Sequence, residues 1–140
     1  MRLTTIILAA ALLFPSAAYG KSWTPERLRK EVRTAAKHYK LTKADTKWLE
    51  RAAVDIVFEG RRESNGSWYA RSGGHLGIFQ FYRKDGEGWK RPKAICKKLG
   101  ISKDIDWRKS PRASTWRFVK VYADGNKKAV RRHWKATLGK

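Results

Sequence analysis

Apolar positions along the chain fall into helical stripes separated by glycine-bearing gaps. Behind Thr24-Pro25-Glu26, which supplies a hydroxyl cap, a proline at the first helical position and an acid in the first turn, Leu28, Val32, Ala35, Ala36 and Tyr39 recur at helical spacing. Thr42 with Asp45 three residues on repeats the start signal, and Trp48, Leu49, Ala52, Ala53, Ile56 and Val57 form the stripe of a second helix. Gly60 and Asn65-Gly66 bracket its end. Arg71 to Gly77 reads as a glycine-rich turn. The run from Leu76 to Tyr82 fits either a short strand or a buried helical turn, because short apolar runs do not separate the two. A short helix is expected from about Pro92 to Leu99, stopped by Gly100; a longer one from Ser110-Pro111 through Ala113, Trp116 and Val119 to Gly125. A last helix from about Asn126 carries Ala129, Val130, His133 and Trp134. The expected class is mainly α (α+β), with at most a small strand element near residues 76–82, and with 83–92 and 100–111 as loops.

The first twenty residues break this pattern. A basic start at Arg2, an apolar run from Ile6 to Phe14 and the small-residue exit Ala18-Tyr19-Gly20 have the form of a secretory leader, too short and weakly flanked for a spanning helix. Residues 1–20 are therefore expected to be a signal peptide and 21–140 one domain, exported and either periplasmic or secreted, with no transmembrane segment after its removal. A monomer is expected.

Charge narrows the partners. The chain carries 33 Lys and Arg against 12 Asp and Glu, a formal +21, which falls by one to +20 when Arg2 leaves with the leader. Such a chain is drawn to polyanions. For an exported protein these are anionic cell-envelope polymers or membrane surfaces, and the leader argues against an intracellular nucleic-acid role. One cysteine, Cys96, excludes an internal disulfide framework and reads as an inert buried residue. Stability must come from the core, to which seven Trp, five Phe and five Tyr contribute large areas.

The candidate chemistry lies in ESNGSWYARSGGHLGIFQF, residues 63–81. Glu63 is a lone acid in a basic neighbourhood. A carboxyl group desolvated by Trp68, Tyr69, Phe79 and Phe81 would favour its protonated form and could give a proton to a leaving glycosidic oxygen. Arg61, Arg62 and Arg71, if turned inward, would favour the ionised form instead. Gly73, Gly74 and Gly77 allow tight turns and close backbone approach to a ligand, and Ser72 and Gln80 add polar side chains. On composition alone, a solvated acid at a helix end beside a core turn is an equal account. No paired Cys/His spacing accompanies His38, His75 and His133, so no metal and no cofactor is expected.

The order of residues goes further. Glu63-Ser64, Ala70-Arg71-Ser72 and Gly74-His75-Leu76-Gly77-Ile78-Phe79-Gln80 resemble the catalytic segment of the soluble lytic transglycosylase family, which carries Glu-Ser, Ala-x-Ser and Gly-Ala-x-Gly-Leu-x-Gln in that order. Val121-Tyr122-Ala123-Asp124-Gly125, with Val130 beyond, is similar to the family's Ala-Tyr-Asn-Ala-Gly block. His75 stands where the family usually has alanine, and Ala123 where it usually has asparagine. The resemblance covers roughly Trp48 to Trp134. It implies a lysozyme-like domain related to goose-type lysozyme, acting on peptidoglycan glycan strands at the β-1,4 bond between N-acetylmuramic acid and N-acetylglucosamine. It gives Glu63 the role of catalytic acid and then base, with attack by the muramic 6-hydroxyl forming a 1,6-anhydro end, a departure from the two-carboxylate scheme. It also implies that Ser72, Gly77, Gln80, Phe81 and Tyr122 line the substrate site, with Ser72, Gln80 and Tyr122 holding the sugar or orienting Glu63.

Asp85 or Glu87 as a second carboxylate would instead make a hydrolytic muramidase. A non-catalytic basic module holding glycan or nucleic acid is the reading from another class. Among the tryptophans, Trp116 and Trp134 have the spacing of core residues, and Trp89 and Trp107, flanked by charges in loops, are the better cleft candidates.

Overall fold

The computed structural model describes residues 22–59, 64–82 and 90–138. Five α-helices dominate: α1 (Pro25–His38), α2 (Lys43–Phe58), α3 (Lys93–Leu99), α4 (Pro111–Asp124) and α5 (Lys127–Leu138). The architecture is mainly α, as the stripes predict. The expected start signals operate at the backbone: Thr24 Oγ1 accepts from Arg27 N at 3.2 Å, Thr42 Oγ1 from Asp45 N at 3.1 Å and Ser110 Oγ from Ala113 N at 3.1 Å. Each satisfies one of the amides that a helix start leaves without an intrahelical acceptor. α3 ends at Gly100, as expected.

The core is built where α1, α2 and α4 meet. Leu28, Val32, Leu49, Val57 and Val119 are fully buried, and Phe118 nearly so. Small residues at Ala35, Ala36, Ala52 and Ala53, all without exposed surface, keep the helix axes close. Burial of each large aliphatic chain is worth about 1.5–3 kcal/mol, which outweighs the modest helix propensity of such sequences. Cys96 is buried too, and loss of hydration pushes its thiol pKa up, consistent with an inert residue.

Between α2 and α3 lies a three-stranded antiparallel sheet of two-residue strands: β1 (Arg71–Ser72), β2 (His75–Leu76) and β3 (Phe81–Tyr82), in that spatial order. Arg71 pairs with Leu76 and His75 with Tyr82. The strand element thus begins at residue 71 rather than 76. Gly73 and Gly74 form the tip of its first hairpin, so the glycine-rich turn is itself part of the sheet. The 100–111 segment also differs from a plain loop: Trp107–Lys109 is one turn of 3-10 helix, capped by Asp106. Trp107 is buried against Phe81, with ring centroids 5.4 Å apart, which makes it core rather than cleft. Trp89 lies outside the described residues.

No helix among the described residues is long and apolar enough to cross a membrane.

Candidate functional site

Glu63 lies outside the described residues, so the site is built from what flanks it. Directly after it, Ser64 is fixed on both sides: its hydroxyl donates to the carbonyl of Ile78 at 2.7 Å and accepts from Gly66 N at 3.1 Å. Asn65 N donates to Val57 O at 2.9 Å, tying the same segment to the last turn of α2. Trp23 N donates to Gly66 O at 2.9 Å, tying the residues just ahead of α1 to the same turn. One hydroxyl therefore joins the Glu-Ser dipeptide to the glycine-containing segment fourteen residues on.

That segment is held in place by identifiable contacts. Gly77 has φ +88°, and a Cβ there would sit 2.0 Å from the carbonyl oxygen of Arg108, so the backbone can approach the 3-10 turn only as glycine. Gln80 has φ +52° and is 7% exposed; its Nε2 donates to Ala70 O and to Gly77 O, both at 2.8 Å. The amide thus pins the segment across its own turn. Phe81 is buried in a run of aromatic contacts: its ring lies 5.8 Å from Phe79, which in turn stacks on Phe118 at 4.6 Å. Ser72 belongs to β1, paired with His75, and His75 is exposed. The structure therefore brings Ser64, Ser72, Gly77, Gln80 and Phe81 into one connected unit.

Arg108 is the residue that sequence reasoning missed. It is buried, and its Nη1 donates to Gly74 O and Phe81 O, both at 3.0 Å, reaching both ends of the small sheet. Its Nε and Nη2 hold the Asp106 carboxylate at 3.0 and 2.6 Å. Burial pushes the Asp106 carboxyl up, but these charged hydrogen bonds outweigh it and hold the group below its ordinary value. Nothing in Asp106-Trp107-Arg108 distinguishes this arginine from the chain's many others; only the Asp-x-Arg spacing of a capped turn hints at a fixed orientation.

Tyr122 is held by a second set of contacts. It is fully buried, and its hydroxyl donates to Asp45 Oδ1 at 2.6 Å, in the first turn of α2. Asp45 and Phe58 are thirteen positions apart on one helix, about 20 Å at 1.5 Å per residue, and it is Asn65 that is tied to Val57 near the far end of α2. Lys127 Nζ reaches Asp45 Oδ2 at 3.0 Å, Arg131 Nη2 reaches Oδ1 at 2.8 Å, and Arg131 Nε donates to the Tyr122 oxygen at 2.8 Å. Trp48 stacks on Tyr122 at 5.5 Å. For Asp45, burial raises the pKa, yet hydrogen bonds from Tyr122, Lys127 and Thr42 with the Lys127 charge bring it down to about 2. Burial and the neighbouring Asp45 carboxylate push the Tyr122 phenol up, so it remains a donor at neutral pH. The hydroxyl expected to hold the sugar or orient Glu63 donates to Asp45, and this cluster ties α4 and α5 to α2.

A groove of about 560 Å³ is lined by Trp23, Trp68 and Tyr69 together with residues from the segment ahead of α4, among them Ile101, Ile105 and Lys109. Among the described residues, no group of three or more His, Cys, Asp and Glu side chains is placed to hold a metal ion. Comparison with family models, with curated proteins and with solved structures returns no match.

Proposed function

We propose that the chain is a peptidoglycan-cleaving enzyme of the lytic transglycosylase type, built on a lysozyme-like domain, with Glu63 as its single catalytic carboxyl. The observation that carries this reading is the 2.7 Å bond from Ser64 to Ile78. It gives a physical reason for the two halves of the resemblance, Glu-Ser and Gly-x-x-Gly-x-x-Gln, to occur together: one positions the acid's neighbour, the other forms the surface it is fixed to. A helix leading to the acid, a small antiparallel sheet after it and helices behind are the parts a lysozyme-like domain requires.

In this reading Glu63 protonates the glycosidic oxygen, and the substrate's N-acetyl group assists at the anomeric carbon. Glu63 then takes the proton of the muramic 6-hydroxyl as that oxygen closes the 1,6-anhydro ring. Gly77 and Gln80 act as positioning residues that hold the wall of the site, and Ser72 and Phe81 belong to the same wall. Tyr122 contributes through the frame that it builds with Asp45. The strongly positive charge, +20 once the leader is removed, serves delivery to an anionic wall rather than the chemistry.

Mass spectrometry of muropeptides after digestion of purified peptidoglycan tests the assignment. Anhydro-muramic ends are expected from the unmodified protein and none from Glu63→Gln at unchanged thermal stability. Reducing ends would make it a hydrolytic muramidase; undiminished cleavage by Glu63→Gln would remove Glu63 from the mechanism; no product at all would leave a glycan-binding module.

A further inference from the structure

Besides the groove at Tyr69, a hollow of about 600 Å³ lies where the last turns of α1 and α3 meet the first two turns of α4. Its size falls within the ~300–1,000 Å³ of small-molecule sites. Thr34, Lys37 and His38 line it from one face of α1, at the i, i+3 and i+4 spacing that brings side chains together. α3 contributes Lys98, and α4 contributes Arg112 and Trp116. Among the described residues, no carboxylate lines it.

One wall is fixed from within. Trp116 Nε1 donates to Glu31 Oε2 at 2.6 Å, and Arg112 Nε donates to the same oxygen at 3.2 Å. The His38 ring packs on the indole with centroids 5.0 Å apart, and the Lys98 ammonium stands 5.9 Å from the indole centroid. Glu31 is 5% exposed and is shared by Arg112 and Arg27, so its charge is compensated inside the wall and Arg112 adds no open charge to the hollow.

Lys37 and Lys98 differ from Arg112. Both are exposed, and neither has an acidic partner among the described residues. Each sits in the last turn of its helix, where a cation answers the helix dipole. That role explains a lysine at each helix end. It does not explain two ammonium groups on one hollow that no carboxylate lines, where their mutual repulsion is relieved only by an anion between them. A phosphate group suits the donors better than a carboxylate does. Its oxygens are arranged tetrahedrally and accept from several directions at once, and it carries up to two charges. The ammonium groups are point charges, whereas an imidazole N–H and the Arg112 Nη groups, which Glu31 does not use, add directed donors.

We infer that this hollow is a phosphate-binding site, taking a phosphate ester or diphosphate group between Lys37 and Lys98, with His38 and Arg112 as N–H partners. The site is independent of the role proposed for Glu63. It gives the attraction of a +20 chain for polyanions one defined point of attachment. Soluble phosphate compounds and lipid headgroups both carry the group it recognises.

The test titrates inorganic pyrophosphate into the full-length protein at fixed ionic strength, followed by two-dimensional amide NMR. Saturable shifts confined to amides of residues 34–38, 97–99 and 112–116 are expected. Affinity should fall about fivefold for each lysine removed in Lys37→Gln/Lys98→Gln. It should stay unchanged in Lys47→Gln/Lys128→Gln, which removes two exposed lysines outside the hollow. No binding, shifts spread over the surface, equal losses in the two double variants, or equal affinity for citrate, a carboxylate of similar charge, would each overturn the site. A second arm uses phosphatidylcholine vesicles doped with phosphatidic acid. Adhesion that pyrophosphate reverses and Lys37→Gln/Lys98→Gln loses assigns the phosphate to a lipid headgroup; without it, pyrophosphate binding assigns a soluble ligand. Muropeptide release is a separate assay, so failure of either reading leaves the other standing.

Discussion

The Tyr122 hydroxyl donates to Asp45 Oδ1 at 2.6 Å across 77 positions of sequence, and the same carboxylate holds Lys127 and Arg131. Three helices thus share one buried acid. Tyr122→Phe should cost about 1–2 kcal/mol, since Asp45 keeps its two cations. Thermal unfolding measures this. Peptidoglycan cleavage should fall no further than that stability loss explains; a collapse in rate at near-intact stability would put the hydroxyl in the chemistry.

Acid should loosen the same junction. The folded pKa of Asp45 is depressed to about 2 from an ordinary 3.8, so its contribution is fully present above about pH 4 and is lost as pH falls through 2. Urea unfolding between pH 5 and pH 2 should show a decline that is shallower in Asp45→Asn. Lys127 and Arg131 are substantially exposed, so salt screening limits the difference to no more than about 2 kcal/mol.

Two glycines of the sheet segment should respond unequally to the same change. Gly77→Ala places a methyl against the Arg108 carbonyl at a positive φ and is expected to cost at least about 3 kcal/mol or prevent folding. Gly73 also has positive φ, +60°, but its Cβ would meet nothing within 4 Å, so Gly73→Ala should cost only about 1–2 kcal/mol. Equal melting temperatures in the two variants would contradict the close approach at Gly77.

Gln80 should tolerate loss of its amide better than its replacement by an acid. Ala70 O and Gly77 O also accept from the backbone amides of Gly77 and Gln80, so Gln80→Leu leaves neither carbonyl bare and should cost about 1–2 kcal/mol. Gln80→Glu would aim a buried carboxylate at two carbonyl oxygens. That arrangement raises the folded pKa, so the variant's deficit should grow as pH rises through about 4.3. Denaturation curves for the two variants at pH 3.5 and pH 7 separate these behaviours.

The helices were legible because their signals are local. Thr24, Thr42, Ser110 and Gly100 act within one turn of themselves, and the stripes need only a period. The sheet was only half visible: two-residue strands have no alternation to read, and their pairing depends on Gln80 and Arg108 reaching back to backbone carbonyls. Trp107 was misplaced because its charged neighbours suggested solvent, whereas Asp106 and Arg108 neutralise each other beside it. Asp45 carried a cap signal that hid its long-range role. For the candidate site, the residues after Glu63 were found in order, but nothing local sets Tyr122 at the Asp45 end of α2.

A sheet of two-residue strands has little capacity to form by itself, and the Arg108 guanidinium closes it from outside by bonding Gly74 and Phe81. Arg108 in turn sits just ahead of α4, with Ser114 Oγ donating to its carbonyl. The closure of the sheet thus waits on a residue synthesised after it. Hydrogen exchange should find its amides and those of residues 107–109 opening together, below the free energy at which α1 and α2 unfold.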